Sequence, residues 1–177
     1  ARVSRAYFTL LRTRGGDAAP VQHAPGGGGD RRAKIENATD GRPVTLVVHS
    51  AGVIDDAASR TVDYRRLRST IDPKVAGLRE LAGACPQARF VSMSSWAGRF
   101  GNSGQSGDAA ANAWLDAHAV AHASRHLSVA WPPWEGSAMV ASIPEAIKKS
   151  LIEAGVTFVE PEEGLDLFES LLASDSS

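Results

Sequence analysis

Cysteine is all but missing from this 177-residue sequence, in which Cys85 stands alone. A single thiol closes no disulfide within the chain and builds no cysteine-based zinc site, which fits a reducing compartment. No stretch approaches the roughly 18 consecutive apolar residues of a membrane-crossing helix. Arg2, Arg5 and the short apolar run at 7–11 likewise lack the apolar region and cleavage site of a secretion signal. The expected location is the cytoplasm, where the Asn37-Ala38-Thr39 sequon is a chance match. An excess of charge is missing as well: 19 Lys+Arg stand against 20 Asp+Glu, a net charge of −1. Nothing in that balance draws the chain to nucleic acid or an anionic membrane, so neither is an expected partner. Hydrophobic residues reach 43%, enough to bury a core and to exclude general disorder. The length suits one ordinary globular domain.

Along the chain, periodicity is lost over residues 14–30, which hold Pro20, Pro25 and four consecutive glycines, Gly26 to Gly29. That composition predicts a loop. A phosphate cradle at those glycines needs a strand before and an amphipathic helix after, and neither is expected from the flanking residues. Residues 1–43 are therefore read as an irregular N-terminal segment and 44–177 as the folded domain. Val44-Thr45-Leu46-Val47-Val48 is a continuous β-branched and apolar run, as in a strand covered on both faces of a parallel sheet. Leu67, Ile71, Val75, Leu78 and Leu81 then fall at helical spacing over residues 64–84, with a bend expected at Pro73. Arg89-Phe90-Val91-Ser92-Met93 reads as a second strand, followed by a Gly/Ser-rich loop over 94–107. An Ala-rich helix is predicted over 109–124 with Ala110, Trp114, Ala117 and Ala121 as its stripe, then a third strand at 127–131. Strand alternating with helix is the rhythm of a doubly wound α/β sheet. Short helices are expected at 143–154 and 161–172.

Three blocks together resemble the ketoreductase domains of modular polyketide and polyunsaturated fatty acid synthases, members of the short-chain dehydrogenase/reductase family. The first is Val47-Val48-His49-Ser50-Ala51-Gly52-Val53-Ile54-Asp55-Asp56, similar to a strand-end His-x-Ala-Gly segment with an Asp-Asp pair. The second runs Val91-Ser92-Met93-Ser94-Ser95-Trp96-Ala97-Gly98-Arg99-Phe100-Gly101-Asn102-Ser103-Gly104-Gln105 and continues into Ala109-Ala110-Ala111-Asn112-Ala113-Trp114-Leu115-Asp116. The third is Val129-Ala130-Trp131-Pro132-Pro133-Trp134 with Ser137-Ala138-Met139. The resemblance covers about residues 44–172. It implies a Rossmann-like fold, NADPH as cofactor, and reduction of a β-keto thioester held on an acyl carrier protein, among other synthase domains of polyketide or fatty acid biosynthesis.

Carried over by position, the resemblance makes Lys74 the active-site lysine, Ser95 the serine and Asn112 the asparagine. Ala51, Gly52, Trp131 and Met139 fall at cofactor-binding positions. The tyrosine position, four residues before Asn112, is Asp108. Hydride reduction of a ketone needs a proton donor beside the forming alkoxide, and a phenol near a lysine supplies it. An aspartate is ordinarily ionised at neutral pH, so it sets negative charge against developing negative charge. The family's opening strand, Gly-rich turn and helix, which binds the cofactor pyrophosphate, also has no counterpart, since no G-x-G-x-x-G occurs in the sequence. Residues 1–14 resemble at best the second strand of the cofactor half, as though the first Gly-rich βα unit were cut away. Two functions stand open: a β-ketoacyl reductase with Lys74, Ser95, Asp108 and Asn112 in its site, or a non-catalytic ketoreductase-like scaffold within a megasynthase.

Blander roles stand beside these. Asp55-Asp56 suits a helix cap as well as the family's stereochemical marker, and Phe100 stands where the opposite stereochemical class carries Trp. His118, His122 and His126 fall at i, i+4 and i+8 of the predicted helix, a spacing that suits zinc, but no acidic or Cys ligand shares their row, so no metal is expected. Met93-Ser94-Ser95-Trp96-Ala97 does not form the Gly-x-Ser-x-Gly elbow of a serine hydrolase.

Overall fold

The computed structural model describes residues 4–14, 18–22, 31–55, 60–141 and 143–174. By internal contacts the chain divides into two compact units, Ala1–Ala130 and Trp131–Ser177. The first is built on a five-stranded sheet of order β2-β1-β3-β4-β5: β1 (Ser4–Thr13), β2 (Ala18–Gln22), β3 (Val44–Ile54), β4 (Arg89–Ser95) and β5 (His126–Trp131). Helix α1 (Arg31–Thr39) precedes β3, α2 (Tyr64–Ala84) joins β3 to β4, and α3 (Ala97–Phe100) with α4 (Ser106–Ala121) joins β4 to β5. Strand and helix alternate as in an α/β Rossmann-like sheet. β3 and β4 pair in parallel, Val48 opposite Val91 and His49 opposite Ser92. Val47, Val48 and His49 are buried in succession, as expected of a strand covered on both faces.

The edge beyond β3 runs differently. β1 is antiparallel to β3, with Ser4 opposite Ile54 and Thr13 opposite Val44, and antiparallel to β2. β1 thus ends at the edge of the sheet opposite to the one where β3 and β4 end. β2 occupies part of the stretch read as loop. It carries Pro20, and a proline with no N–H to give is tolerated on an edge strand. β2 stands before Gly26 to Gly29 and α1 after them, but α1 is a polar helix that buries only Ile35 and Thr39 among its described side chains, not the amphipathic helix that a phosphate cradle needs. The glycines themselves lie outside the described residues. Leu11, Val21, Ile35, Val47, Leu78, Leu81, Cys85, Ala88, Phe90 and Leu115 form the core cluster. Burial pushes the Cys85 thiol up, so it stays a protonated core side chain.

Helix α2 matches its predicted span, and its N-cap is Asp63, whose carboxylate accepts the backbone N–H of Arg66 at 2.8 Å. Helix α4 starts and ends three residues earlier than predicted, and its buried face is Gly107, Ala111, Asn112, Leu115 and Ala119. Of the predicted stripe, Ala110, Ala117 and Ala121 are exposed, while Trp114 is half-buried and packs against the core cluster. The cause is Asn112: a polar residue on the buried row makes the Ala/Trp row beside it look like the core. His126 is not helical but opens β5.

Two glycines set helix spacing. A Cβ on Gly107 would lie 2.8 Å from Thr70 Oγ1, so only glycine lets the start of α4 close against α2. A Cβ on Gly98 would lie 2.8 Å from the backbone nitrogen of Ala113, bringing α3 equally close to α4.

In the second unit, α5 (Ala138–Ala141), α6 (Glu145–Glu153) and α7 (Pro161–Ser174) follow Trp131. The Trp131 and Trp134 rings meet edge to face at 4.9 Å, and Phe168 stands 6.4 Å from Trp131. A Cβ on Gly164 would lie 2.5 Å from the Trp134 ring, so α7 packs there through a glycine.

Candidate functional site

The C-terminal ends of β3 and β4 and the facing sides of α2 and α4 bring three charged or amide side chains together. Lys74 Nζ donates to Asp108 Oδ1 at 2.8 Å and to Asn112 Oδ1 at 2.7 Å, and Asn112 Nδ2 donates to Asp108 Oδ2 at 2.8 Å. The three close a ring in which each side chain bonds the other two. Asn112 is fully buried and Lys74 nearly so, while Asp108 keeps 19% of its side chain exposed. The local reasons are legible. Asp108 sits in the first turn of α4, where a carboxylate faces the positive end of the helix dipole. Asn112 follows one turn later on the same face, as i, i+4 geometry requires. Gly107 lets that turn approach α2, which carries Lys74.

Ser95 ends β4, and its hydroxyl accepts the backbone N–H of Ala97 at 3.3 Å. It is not joined to the ring by any described hydrogen bond. Its neighbour Ser94 is: Ser94 Oγ donates to the Asn112 carbonyl at 3.3 Å. Ala51 is buried near the end of β3, and the position of a Cβ on Gly52 lies 3.7 Å from Lys74 Cε, so the lysine stem passes over that glycine. Trp131 and Met139 belong to the second unit, the first buried and the second 44% exposed. Asp55 does not cap a helix: it accepts Arg66 Nη2 at 2.6 Å and Ser69 Oγ at 3.4 Å, tying the segment after β3 to α2. Asp56 lies outside the described residues.

At the other end of α4 the histidines gather without a metal geometry. His118 Nδ1 and His126 Nδ1 are 2.9 Å apart, His126 Nε2 bonds Ser92 Oγ at 2.8 Å, and His122 Nδ1 donates to the His118 carbonyl at 2.8 Å. Among the described residues no group of three His, Cys, Asp or Glu side chains is placed to hold a metal ion. Burial first, then the His118 and His122 rings, lower the His126 pKa to about 4. His118 is lowered by burial, then by His122 and Arg79.

Residues 30–136 match the family model described as the KR domain. The chain is a ketoreductase domain of the polyketide synthase type. It belongs with these domains to the short-chain dehydrogenase/reductase family, and the resemblance read from the three sequence blocks holds. Over 140 residues it is 39% identical to the spectinabilin polyketide synthase system protein NorB of Streptomyces orinoci, covering 75% of this chain and 6% of that protein. It is 35% identical over 140 residues to the mycoketide-CoA synthase of Mycobacterium tuberculosis, covering 75% and 3%. PlmKR1, the ketoreductase from the first module of phoslactomycin biosynthesis in Streptomyces sp. HK803, superposes with a TM-score of 0.66 at 35% identity, over 76% of this chain and 33% of that one. A-type ketoreductases from a modular polyketide synthase give 0.69 at 34% identity, over 81% and 32%. The ketoreductase chain described here thus spans about a third of these solved structures and a few per cent of the curated relatives. Among the described residues no helix is long and apolar enough to cross a membrane.

Sequence reasoning missed Gly107, Gly98 and Ser94, which shape the ring without reacting. Gly98 lies within α3 and Gly107 in the first turn of α4, where a glycine lets neighbouring helices close on one another.

Proposed function

We propose that this ketoreductase domain is framed for a β-ketoacyl thioester carried by an acyl carrier protein, with NADPH as hydride donor, and that its reduction step is strongly attenuated. The observation that carries the reading is the 2.8 Å contact of Lys74 Nζ with Asp108 Oδ1 at the position of the family's proton donor. A lysine beside a phenol helps the phenol release its proton to the alkoxide. Here the ammonium is held by a carboxylate, which in its ionised form has no proton to release and repels the charge forming on the substrate oxygen. Ser95 is the group left to hydrogen-bond the ketone oxygen, and Asn112 is occupied by Lys74 and Asp108.

The described residues do not fit the phosphate end of NADPH. The family's anchor is a strand whose C-terminal end leads through a Gly-rich turn into a helix beside the site. On the side away from β4, the neighbour of β3 is β1, which runs antiparallel and ends at the opposite edge. Ala51 and Gly52, at the end of β3, remain as cofactor-side contacts of this reading. The antiparallel β1 also favours the second reading, a non-catalytic ketoreductase-like domain inside a synthase. Purified chain with NADPH and a β-ketoacyl thioester should show no loss of NADPH absorbance above the uncatalysed rate, and calorimetry should show NADPH binding weaker than micromolar. Turnover at an ordinary enzymatic rate, of the order of 1 per second or more, contradicts the reading.

A further inference from the structure

Helix α2 is weakly self-supported just ahead of Lys74. Pro73 has no N–H to give the Ser69 carbonyl. One turn earlier, Ser69 Oγ and Thr70 Oγ1 both donate to the Arg66 carbonyl, at 2.8 and 2.7 Å, back-bonding of a kind that loosens and bends helices. The position of the Lys74 ammonium therefore depends on what grips the helix from outside. One such grip comes from β3: the ring of His49, 1% exposed, places Nε2 3.0 Å from the Lys74 carbonyl oxygen. A carbonyl only accepts, so this histidine carries its proton on Nε2. Three residues along the same strand, Gly52 lies under the lysine stem, 3.7 Å from Lys74 Cε to the place of a Cβ. The strand-end His49-Ser50-Ala51-Gly52 segment thus meets Lys74 at both its backbone and its side chain.

We propose that His49 is a positioning residue for Lys74, its Nε2–H bond to the Lys74 carbonyl fixing where α2 presents the ammonium to Asp108 and Asn112. The inference rests on the reading of Lys74 as a site residue, yet it is testable without turnover. Lysine acetylation by acetic anhydride, followed residue by residue with mass spectrometry, reads how often Lys74 Nζ leaves its partners. Lys34 and Lys149, both exposed, serve as internal references. In His49→Leu, labelling of Lys74 relative to Lys149 should rise roughly five- to tenfold, the loss expected for one buried hydrogen bond. His49→Gln, which keeps a donor at the same reach, should stay within about twofold of the unaltered chain. A role confined to core filling predicts the reverse, with Leu tolerated at least as well as Gln at Lys74. An unchanged Lys74 ratio in a folded His49→Leu chain overturns the proposal. Should that variant not fold, the 15N spectrum of the unaltered chain decides, since the proposal requires the Nε2–H form of His49. A bare Nε2 with the proton on Nδ1 sinks it. A reductase assay that fails or succeeds leaves both readouts where they are, so the two readings fall separately.

Discussion

The two ends of helix α4 solve the burial of titratable groups in opposite ways. At its start Asp108 and Asn112 meet Lys74 from α2, and unlike charges with complementary donors close a ring at 2.7 to 2.8 Å. At its end His118 and His122 meet His126 from β5, and burial beside groups of the same kind lowers the pKa of His118 and takes that of His126 down to about 4. Charge is retained where an opposite charge can be reached and given up where it cannot. The comparison separates a chemical site from a structural one within a single helix. On the proposed reading the ring occupies the place where a ketoreductase needs a mobile proton, and pairs Lys74 with a carboxylate instead. The histidine cluster resembles a ligand set in spacing alone, and both nitrogens of His126 and the Nδ1 atoms of His118 and His122 are engaged with one another, with Ser92 or with a backbone carbonyl.

The largest expected effect comes from replacing the carboxylate with the missing acid. In an otherwise complete ketoreductase context, Asp108→Tyr should raise kcat by about 100- to 10,000-fold, the usual worth of general acid catalysis, measured by NADPH consumption with a β-ketoacyl thioester. Asp108→Asn should gain far less, because it removes the adverse charge and supplies no useful proton. Rates already high with Asp108, and indifferent to both changes, would mean that another group protonates the alkoxide. Next comes the buried amide: Asn112→Leu leaves Lys74 Nζ and Asp108 Oδ2 each short of a partner, and urea denaturation should show a loss of about 3 kcal/mol. A loss below about 1 kcal/mol would show the ring to be loosely made.

The smallest effect belongs to the far end. Between pH 6.5 and 4 the unfolded chain binds a proton at residue 126 that the folded chain refuses, so stability is full above pH 6.5 and falls as pH drops toward 4. His118, lowered in the same direction, adds to the loss. After allowance for solvent screening the fall is about 2 kcal/mol. Denaturant midpoints measured across that range should decline in the unaltered chain and flatten in His126→Gln. A slope unaffected by His126→Gln would place the acid sensitivity elsewhere.

Much of the molecule was legible in its sequence, for identifiable reasons. The run from Val44 to Val48 announced a buried strand, and Leu67, Ile71, Leu78 and Leu81 a helix with Pro73 inside it, because period and branching are local properties. The pairing of Lys74 with Asp108 and Asn112 followed from motif position alone. What stayed hidden was set by contacts distant in sequence. Periodicity marks a strand without giving its direction, so the antiparallel run of β1 was not readable from Arg2 to Leu11. Ala18–Gln22 is too short, and too close to Pro25 and the glycines, to stand out from loop. The face of α4 was misread because Asn112, a polar residue, lies on the buried row for the sake of Lys74. His126 continues the helical spacing of His118 and His122 by coincidence, and only the chain turn at residues 122–125 places it in β5.

The most direct test of the account is a double-mutant cycle on Lys74 and Asp108, measured by urea denaturation of the chain, with Lys74→Met, Asp108→Leu and the pair. If the ammonium is held by the carboxylate as the 2.8 Å contact implies, each single change strands a charge, and the pair costs less than the sum of the two by about 2 kcal/mol. Additivity within about 0.5 kcal/mol would mean that the two side chains do not interact in solution, and Lys74 would then be free to serve the chemistry that Asp108 is argued to block.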